Sequence, residues 1–218
     1  GEAFAARSEN NRLRHTLVFA ERGVVFDRNG EELIWNELHP DTKEFSFRAY
    51  TERGGLAHTL GYVKYPSKDS AGFYYKTEFT GVEGVEKNFE HVIAGTNGLK
   101  ITETDALSTV TSKSVIDQPQ NGKDITLSID ARVQEKLFQE IASLAQEVKF
   151  QGGAGVIMDV NDGTILAMTS YPEYDSSVMS EGSDKAQINS FLNNSQNPFL
   201  NRVISGLYTP GSIVKPFV

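Results

Sequence analysis

The stretch R-G-V-V-F-D-R-N-G-E-E-L-I-W from Arg22 places two β-rich runs around Asp27-Arg28-Asn29-Gly30. Asn-Gly between such runs is the strongest short hairpin signal, so the pattern predicts strands over residues 24–26 and 33–35. Before it, residues 1–14 mix small, acidic and basic side chains and predict a solvated helix. Residues 40–122 are rich in glycine, threonine and charge and predict an irregular α+β region. Within it, Val85, Phe89 and Val92/Ile93 fall at helical spacing over residues 84–94, and Gly95 supplies the stop. Residues 99–115 alternate loosely, as strands do. After the turn cluster 118–122 comes a strand over 125–129. Asp130 then caps a helix with an apolar stripe at Val133, Leu137, Ile141, Leu144 and Val148, which Gly152-Gly153 should end. Residues 154–158 and 164–169 around Asn161-Asp162-Gly163 predict a β-hairpin with mostly buried strands. Residues 171–200 predict loop, and a last helix starts near Gly211.

The 218 residues carry 39% hydrophobic side chains, enough for a sizeable core. The net charge is −8, and each side of residue 122 carries −4, so no basic half is hidden and a nucleic-acid partner is disfavoured. There is no cysteine, which excludes disulfide frameworks, thiolate zinc sites and cysteine nucleophiles. No cofactor signature is present. His15, His39, His58 and His91 lack metal-ligand spacing, and no apolar run reaches the ~18 residues of a membrane span.

One nucleophile has a base at a meaningful spacing: Ser212-Ile-Val-Lys215. On a helix these two side chains share a face, with about 5–6 Å between Cβ atoms. The serine would sit in the first turn, where free N–H groups favour developing negative charge. A partly desolvated Lys215 could take its proton. The chain holds 18 serines and 12 lysines, so about one S-x-x-K is expected by chance. The tetrad therefore needs its context.

That context resembles the class B penicillin-binding proteins. The resemblance runs through Arg22-Gly-Val-Val-Phe-Asp-Arg-Asn-Gly30, Gly84-Val-Glu86 with Gly95-x-x-Gly98, and Asp124–Asp130 with Gln134. It continues through Gly153–Asp159, Gly163–Met168, Tyr171-Pro-x-Tyr-Asp175, Asn201-Arg202 and Tyr208-Thr-Pro-Gly-Ser-Ile-Val-Lys-Pro216. The order is kept throughout, and Leu192-Asn-Asn before Pro198 is similar to the elongation-type transpeptidases. The resemblance implies an α+β chain: a pedestal (dimerisation-type) domain over residues 1–122, then the incomplete first part of a β-lactamase-like serine transpeptidase domain over 123–218. It implies Ser212 as nucleophile and Lys215 as base, peptidoglycan stem peptides as substrates and β-lactams as acylating inhibitors. A membrane glycan polymerase and scaffold proteins are the implied partners. It further implies a place on the outer face of the cytoplasmic membrane, through an upstream anchor missing from this sequence. The family's later S-x-N and K-T-G do not follow Lys215, so the 218 residues alone are expected to be inactive. A non-catalytic interaction module positioning cell-wall partners is the alternative, and a β-lactam sensor or hydrolase ranks third.

Other features read more plainly. Ser195-Gln196-Asn197 precedes the nucleophile and predicts a loop, and Lys76-Thr77 is followed by glutamate. Arg202 predicts an ion pair ordering nearby loops, and Phe73–Tyr75 predict core positions with docking as the alternative.

Overall fold

The computed structural model describes residues 12–39, 42–104, 110–209 and 215. In chain order its elements begin with β1 (Arg12–Val18), β2 (Val25–Phe26), β3 (Glu32–His39), β4 (Thr42–Tyr50) and α1 (Ala57–Leu60). Four short strands follow: β5 (Val63–Lys64), β6 (Ser67–Lys68), β7 (Tyr74–Lys76) and β8 (Thr80–Gly81). Then come α2 (Gly84–Asn88), α3 (Glu90–Ile93), β9 (Gly98–Thr104), β10 (Val110–Asp117) and β11 (Ile125–Thr126). The remainder comprises α4 (Ala131–Val148), β12 (Gly153–Met158), β13 (Ile165–Tyr171), α5 (Ser176–Glu181), α6 (Lys185–Leu192) and α7 (Arg202–Ser205).

The hairpin around Asn29-Gly30 forms as the pattern predicts: β2 and β3 pair antiparallel, Val25 opposite Ile34, with a register shift before Phe26 meets Glu32. β4 adds to the far side of β3, and β11 joins β2 in parallel, giving the order β11-β2-β3-β4. A second sheet runs β1-β9-β10. Residues 12–14, expected in a helix, instead open β1 and pair with Thr102–Thr104; residues 1–11 lie outside the described residues. The helix expected over 84–94 forms as two short pieces broken at Phe89.

The core joins both halves of the chain. Val25, Leu33, Ile34, Tyr50, Leu56, Leu60 and Val85 bury with Ile129 and Ala131, and Ile165 of β13 packs against them. Close backbone approach holds α1 to α2. A Cβ on Gly61 would lie 1.8 Å from the Glu83 carbonyl, and one on Gly84 would lie 2.5 Å from the Gly61 nitrogen. Both glycines also have positive φ, so any side chain there would force this junction apart.

Helix α4 begins as predicted, the Asp130 carboxylate accepting from the N–H groups of Arg132 and Val133. It ends differently. Lys149, not a glycine, takes the left-handed conformation at φ 62° and donates its N–H to the Ala145 carbonyl. The stripe is buried only in part: Leu144 and Val148 are exposed, while Ala131, Gln134 and Ala145 are buried. β12 and β13 form the expected hairpin. β13 buries Ala167, Thr169 and Ser170, but Val156, Ile157 and Met158 of β12 are exposed, because α4 covers only part of a two-stranded sheet. Residues 171–200, expected as loop, contain α5 and α6, whose N-caps Asp175 and Asp184 each accept a backbone N–H. Short side-chain caps of this kind start helices where the apolar period is too brief to announce them.

Phe73 and Tyr75 are corrected as well. They are 72% and 67% exposed on the β6–β7 hairpin, whereas Tyr74 between them turns inward against the Phe19 ring. Period-two alternation explains why one aromatic of three packs.

Candidate functional site

The approach to Ser212-x-x-Lys215 is built on the end of β13. The Tyr171–Pro172 peptide bond is cis. The Ser170 hydroxyl donates to the Leu200 carbonyl (3.0 Å) and accepts from the Arg202 N–H (3.1 Å). Asn201 caps α7, its side chain accepting the Val203 N–H. The buried Arg202 guanidinium donates to the carbonyls of Gln196, Asn197 (3.2 Å) and Leu200 (3.4 Å). The expected ion pair is therefore replaced by a fan of carbonyls, which the five fixed donors of a guanidinium suit. Gly152 admits it: a Cβ there would stand 2.6 Å from the Arg202 Nε. The loop carrying Ser195-Gln196-Asn197 is thus tied to β13 some ten residues ahead of the candidate nucleophile.

Ser212 lies outside the described residues, so its relation to Lys215 is not described. Lys215 is exposed. The desolvation expected to make it a base does not come from the described residues.

Beneath this approach, the first 122 residues are joined to the rest by polar groups. Asp27 is fully buried and accepts from the N–H groups of Asn29 (2.7 Å), Glu31 (2.9 Å) and Ala131 (3.2 Å). The Asn29 side-chain amide bridges Asp27 and Asp130, 3.0 Å from each. Gln134 has its amide nitrogen 2.6 Å from the Gly55 carbonyl and 2.8 Å from the Met168 carbonyl, and its oxygen accepts the Met168 N–H at 2.7 Å. Glu173 accepts from the N–H groups of Gly55 (2.6 Å) and Ala57 (2.9 Å). The Tyr174 hydroxyl lies 2.8 Å from the Glu83 carboxylate and 3.1 Å from the Ala57 carbonyl.

A buried ion cluster stands behind the α2 end of this junction. One Glu86 oxygen receives Arg22 Nη2 at 2.5 Å and the other receives Arg48 Nε at 2.8 Å. Arg22 also reaches Glu90 (2.9 Å), and Arg48 reaches the Asn36 side chain and the Gly23 carbonyl. The motifs Arg22-Gly and Gly84-Val-Glu86 marked two of these residues. Arg48 escaped notice because an arginine in a strand carries no sign of its partner. Gln134 was marked by the resemblance, but it sits off the apolar stripe of α4, and nothing in helical spacing announces that its amide spans three backbone groups.

Two groups at the junction have displaced proton affinities. Burial pushes the Glu173 carboxyl up to about 7, against the two N–H donors that favour its charge. Burial pushes the His58 ring down to about 4. Neither nitrogen of His58 has a hydrogen-bond partner among the described residues, although the Pro198 carbonyl lies near enough to favour the charged ring slightly. Among the described residues no cluster of three histidine or carboxylate groups could hold a metal ion, and no helix is long and apolar enough to cross a membrane.

Comparison with known proteins matches this arrangement. The penicillin-binding protein dimerisation domain matches residues 40–127, and the penicillin-binding protein transpeptidase domain matches residues 153–218. Peptidoglycan D,D-transpeptidase MrdA of Acinetobacter baumannii is 32% identical over 179 residues, covering 79% of this chain and 26% of that protein. The crystal structure of Pseudomonas aeruginosa PBP2 in complex with WCK 5153 superposes with a TM-score of 0.68 at 30% identity, covering 93% of this chain and 40% of that one. A complex between PBP2 and MreC from Helicobacter pylori has the same fold, with a TM-score of 0.68 at 23% identity, covering 94% of this chain and 51% of that one. The chain spans about a quarter of the length of the curated relatives it matches. With a dimerisation domain followed by transpeptidase sequence on a shared α+β fold, the chain belongs to the penicillin-binding proteins.

Proposed function

We propose that the protein carrying these residues is an elongation-type peptidoglycan D,D-transpeptidase, with a pedestal over residues 1–122 and transpeptidase sequence from 123 onward. The observation that carries this reading is the S-x-x-K tetrad inside the matched transpeptidase domain. Ser212 Oγ attacks the penultimate D-Ala carbonyl of a stem peptide and its proton passes to Lys215. The C–N bond to the terminal D-Ala breaks, and that amine leaves with a proton. An acceptor amine from a neighbouring stem then displaces the serine, breaking the ester and forming the cross-link. The backbone N–H of Ser212 is one donor to the oxyanion, and penicillins acylate the same oxygen.

Of this machinery, residues 1–218 carry Ser212 and Lys215, and the reaction is assigned to the full-length gene product. The reaction belongs on the outer face of the cytoplasmic membrane, where its substrate is assembled, with an anchor outside residues 1–218 holding the protein there. The experiment is release of D-Ala from a stem pentapeptide by the full-length gene product. Ser212→Ala should abolish release and Lys215→Ala should reduce it by at least about a hundredfold. Unchanged release in Ser212→Ala would overturn the assignment.

A second role, docking a membrane glycan polymerase and scaffold proteins through residues 1–122, is favoured by the exposed Phe73 and Tyr75. The Helicobacter pylori relative in complex with MreC supports the same role. Replacing both aromatics by aspartate should weaken co-purification with such partners and leave D-Ala release intact.

A further inference from the structure

A cleft of about 900 Å³ opens where the two halves of the chain meet. One wall comes from the end of β4 and residues 51–57, the other from residues 173–191. This volume lies within the range of ligand-binding clefts.

Its lining is strongly acidic. Glu37, Glu52, Glu173, Asp175 and Glu181 face it against two arginines, Arg48 and Arg53. Neither arginine is free to answer them. Arg48 is spent on Glu86, Asn36 and Gly23, and Arg53 on Glu31 and Glu135, both at 2.5 Å. Among the described residues the cleft therefore holds carboxylates in excess of available cations. A second observation points the same way. Ser176 lines the cleft, is only 7% exposed, and its hydroxyl has no hydrogen-bond partner among the described residues. A buried hydroxyl without a partner is costly and rare unless something engages it. Trp35, Phe47 and Phe191 supply aromatic surface to the same space.

We propose that this cleft binds a basic peptide segment of a partner protein, an arginine or lysine entering among the carboxylates and the Ser176 hydroxyl while flanking apolar side chains lie on the aromatic wall. Charge complementarity selects a cation. The aromatic faces favour guanidinium or ammonium groups further. Desolvation of Glu173 adds to the effect, since an incoming cation would stabilise its ionised form. The proposal does not depend on the transpeptidase reading.

Trp35 is the only tryptophan in the sequence, so its fluorescence reports on the cleft. The test titrates the chain with acetylated, amidated Arg-Leu-Arg-Ala-Arg-Leu and with the same peptide carrying citrulline for arginine. The expected result is a saturable change, with the citrulline peptide at least about tenfold weaker. The double variant Glu52→Gln/Glu181→Gln, both exposed positions that leave the fold intact, should bind the arginine peptide at least about fivefold more weakly, as should the unaltered chain when salt rises from about 50 to about 500 mM. No saturable change, equal binding of the citrulline peptide, or undiminished binding by the double variant would each overturn the proposal.

Discussion

Glu86 and Arg48 meet at 2.8 Å with neither side chain exposed, and Arg22 closes on the other Glu86 oxygen at 2.5 Å. A buried carboxylate between two guanidiniums compensates their desolvation only while all three are present. Glu86→Ala would leave two buried cations facing one another beside the partly exposed Glu90. Urea unfolding should show a loss of about 3–5 kcal/mol. A loss below about 1 kcal/mol would mean that water reaches the cluster.

Gln134 makes the corresponding prediction on α4. Gln134→Leu keeps the volume but removes the acceptor of the Met168 N–H and leaves the Gly55 and Met168 carbonyls with only the Thr169 and Thr59 hydroxyls. With one buried group left unpaired at about 1–3 kcal/mol, a loss of about 2 kcal/mol is expected in the same unfolding measurement. Gln134→Glu should also destabilise, because a carboxylate cannot donate to the two carbonyls.

These residues show what was legible in the sequence. The 22–35 hairpin, the helix begun by Asp130 and the strand pair over 153–171 follow from local turn chemistry, capping and periodicity, and all three form. The helices α5 and α6 were not legible, because their serine- and asparagine-rich composition reads as loop until the Asp175 and Asp184 caps are seen engaged. Periodicity predicted burial for Leu144, Val148 and β12, but burial depends on what covers a face, and a pattern cannot supply that. At the candidate site the tetrad and Asn201-Arg202 were visible. Arg202 bonding carbonyls was not, since its partners are backbone groups that any residue could present.

The pH dependence of stability separates the two displaced groups. Glu173 has its folded value raised from 4.5 to about 7, so the folded chain holds a proton that the unfolded chain has released. Its contribution is complete below pH ~4.5 and is lost as pH rises through about 7, amounting to about 3 kcal/mol. His58 acts oppositely. Its value falls from 6.5 to about 4, so its contribution is present above pH ~6.5 and is lost as pH falls toward about 4. In Glu173→Gln only the histidine slope should remain, and stability should rise from pH ~4 to ~6.5 and then stay level. If the variant and the unaltered chain show parallel profiles from pH ~5 to ~8, Glu173 does not hold that proton.

Arg202→Lys tests the anchored turn. A lysine keeps the charge but cannot fan across three carbonyls. Amide hydrogen exchange over residues 196–206 should accelerate by about tenfold or more while α4 is unchanged. In the full-length gene product, acylation by a β-lactam should slow without loss of the fold. Uniform acceleration across the chain would indicate a global role for Arg202 instead.

The central claim is that Ser212 is the acylated oxygen. Intact-mass measurement of the full-length gene product with benzylpenicillin tests it most directly, because it reads chain mass and adduct together. The account predicts one penicilloyl adduct, mapped by proteolysis to the peptide holding Ser212 and absent in Ser212→Ala. An adduct that persists in Ser212→Ala, or a folded full-length protein that takes up none, would contradict it.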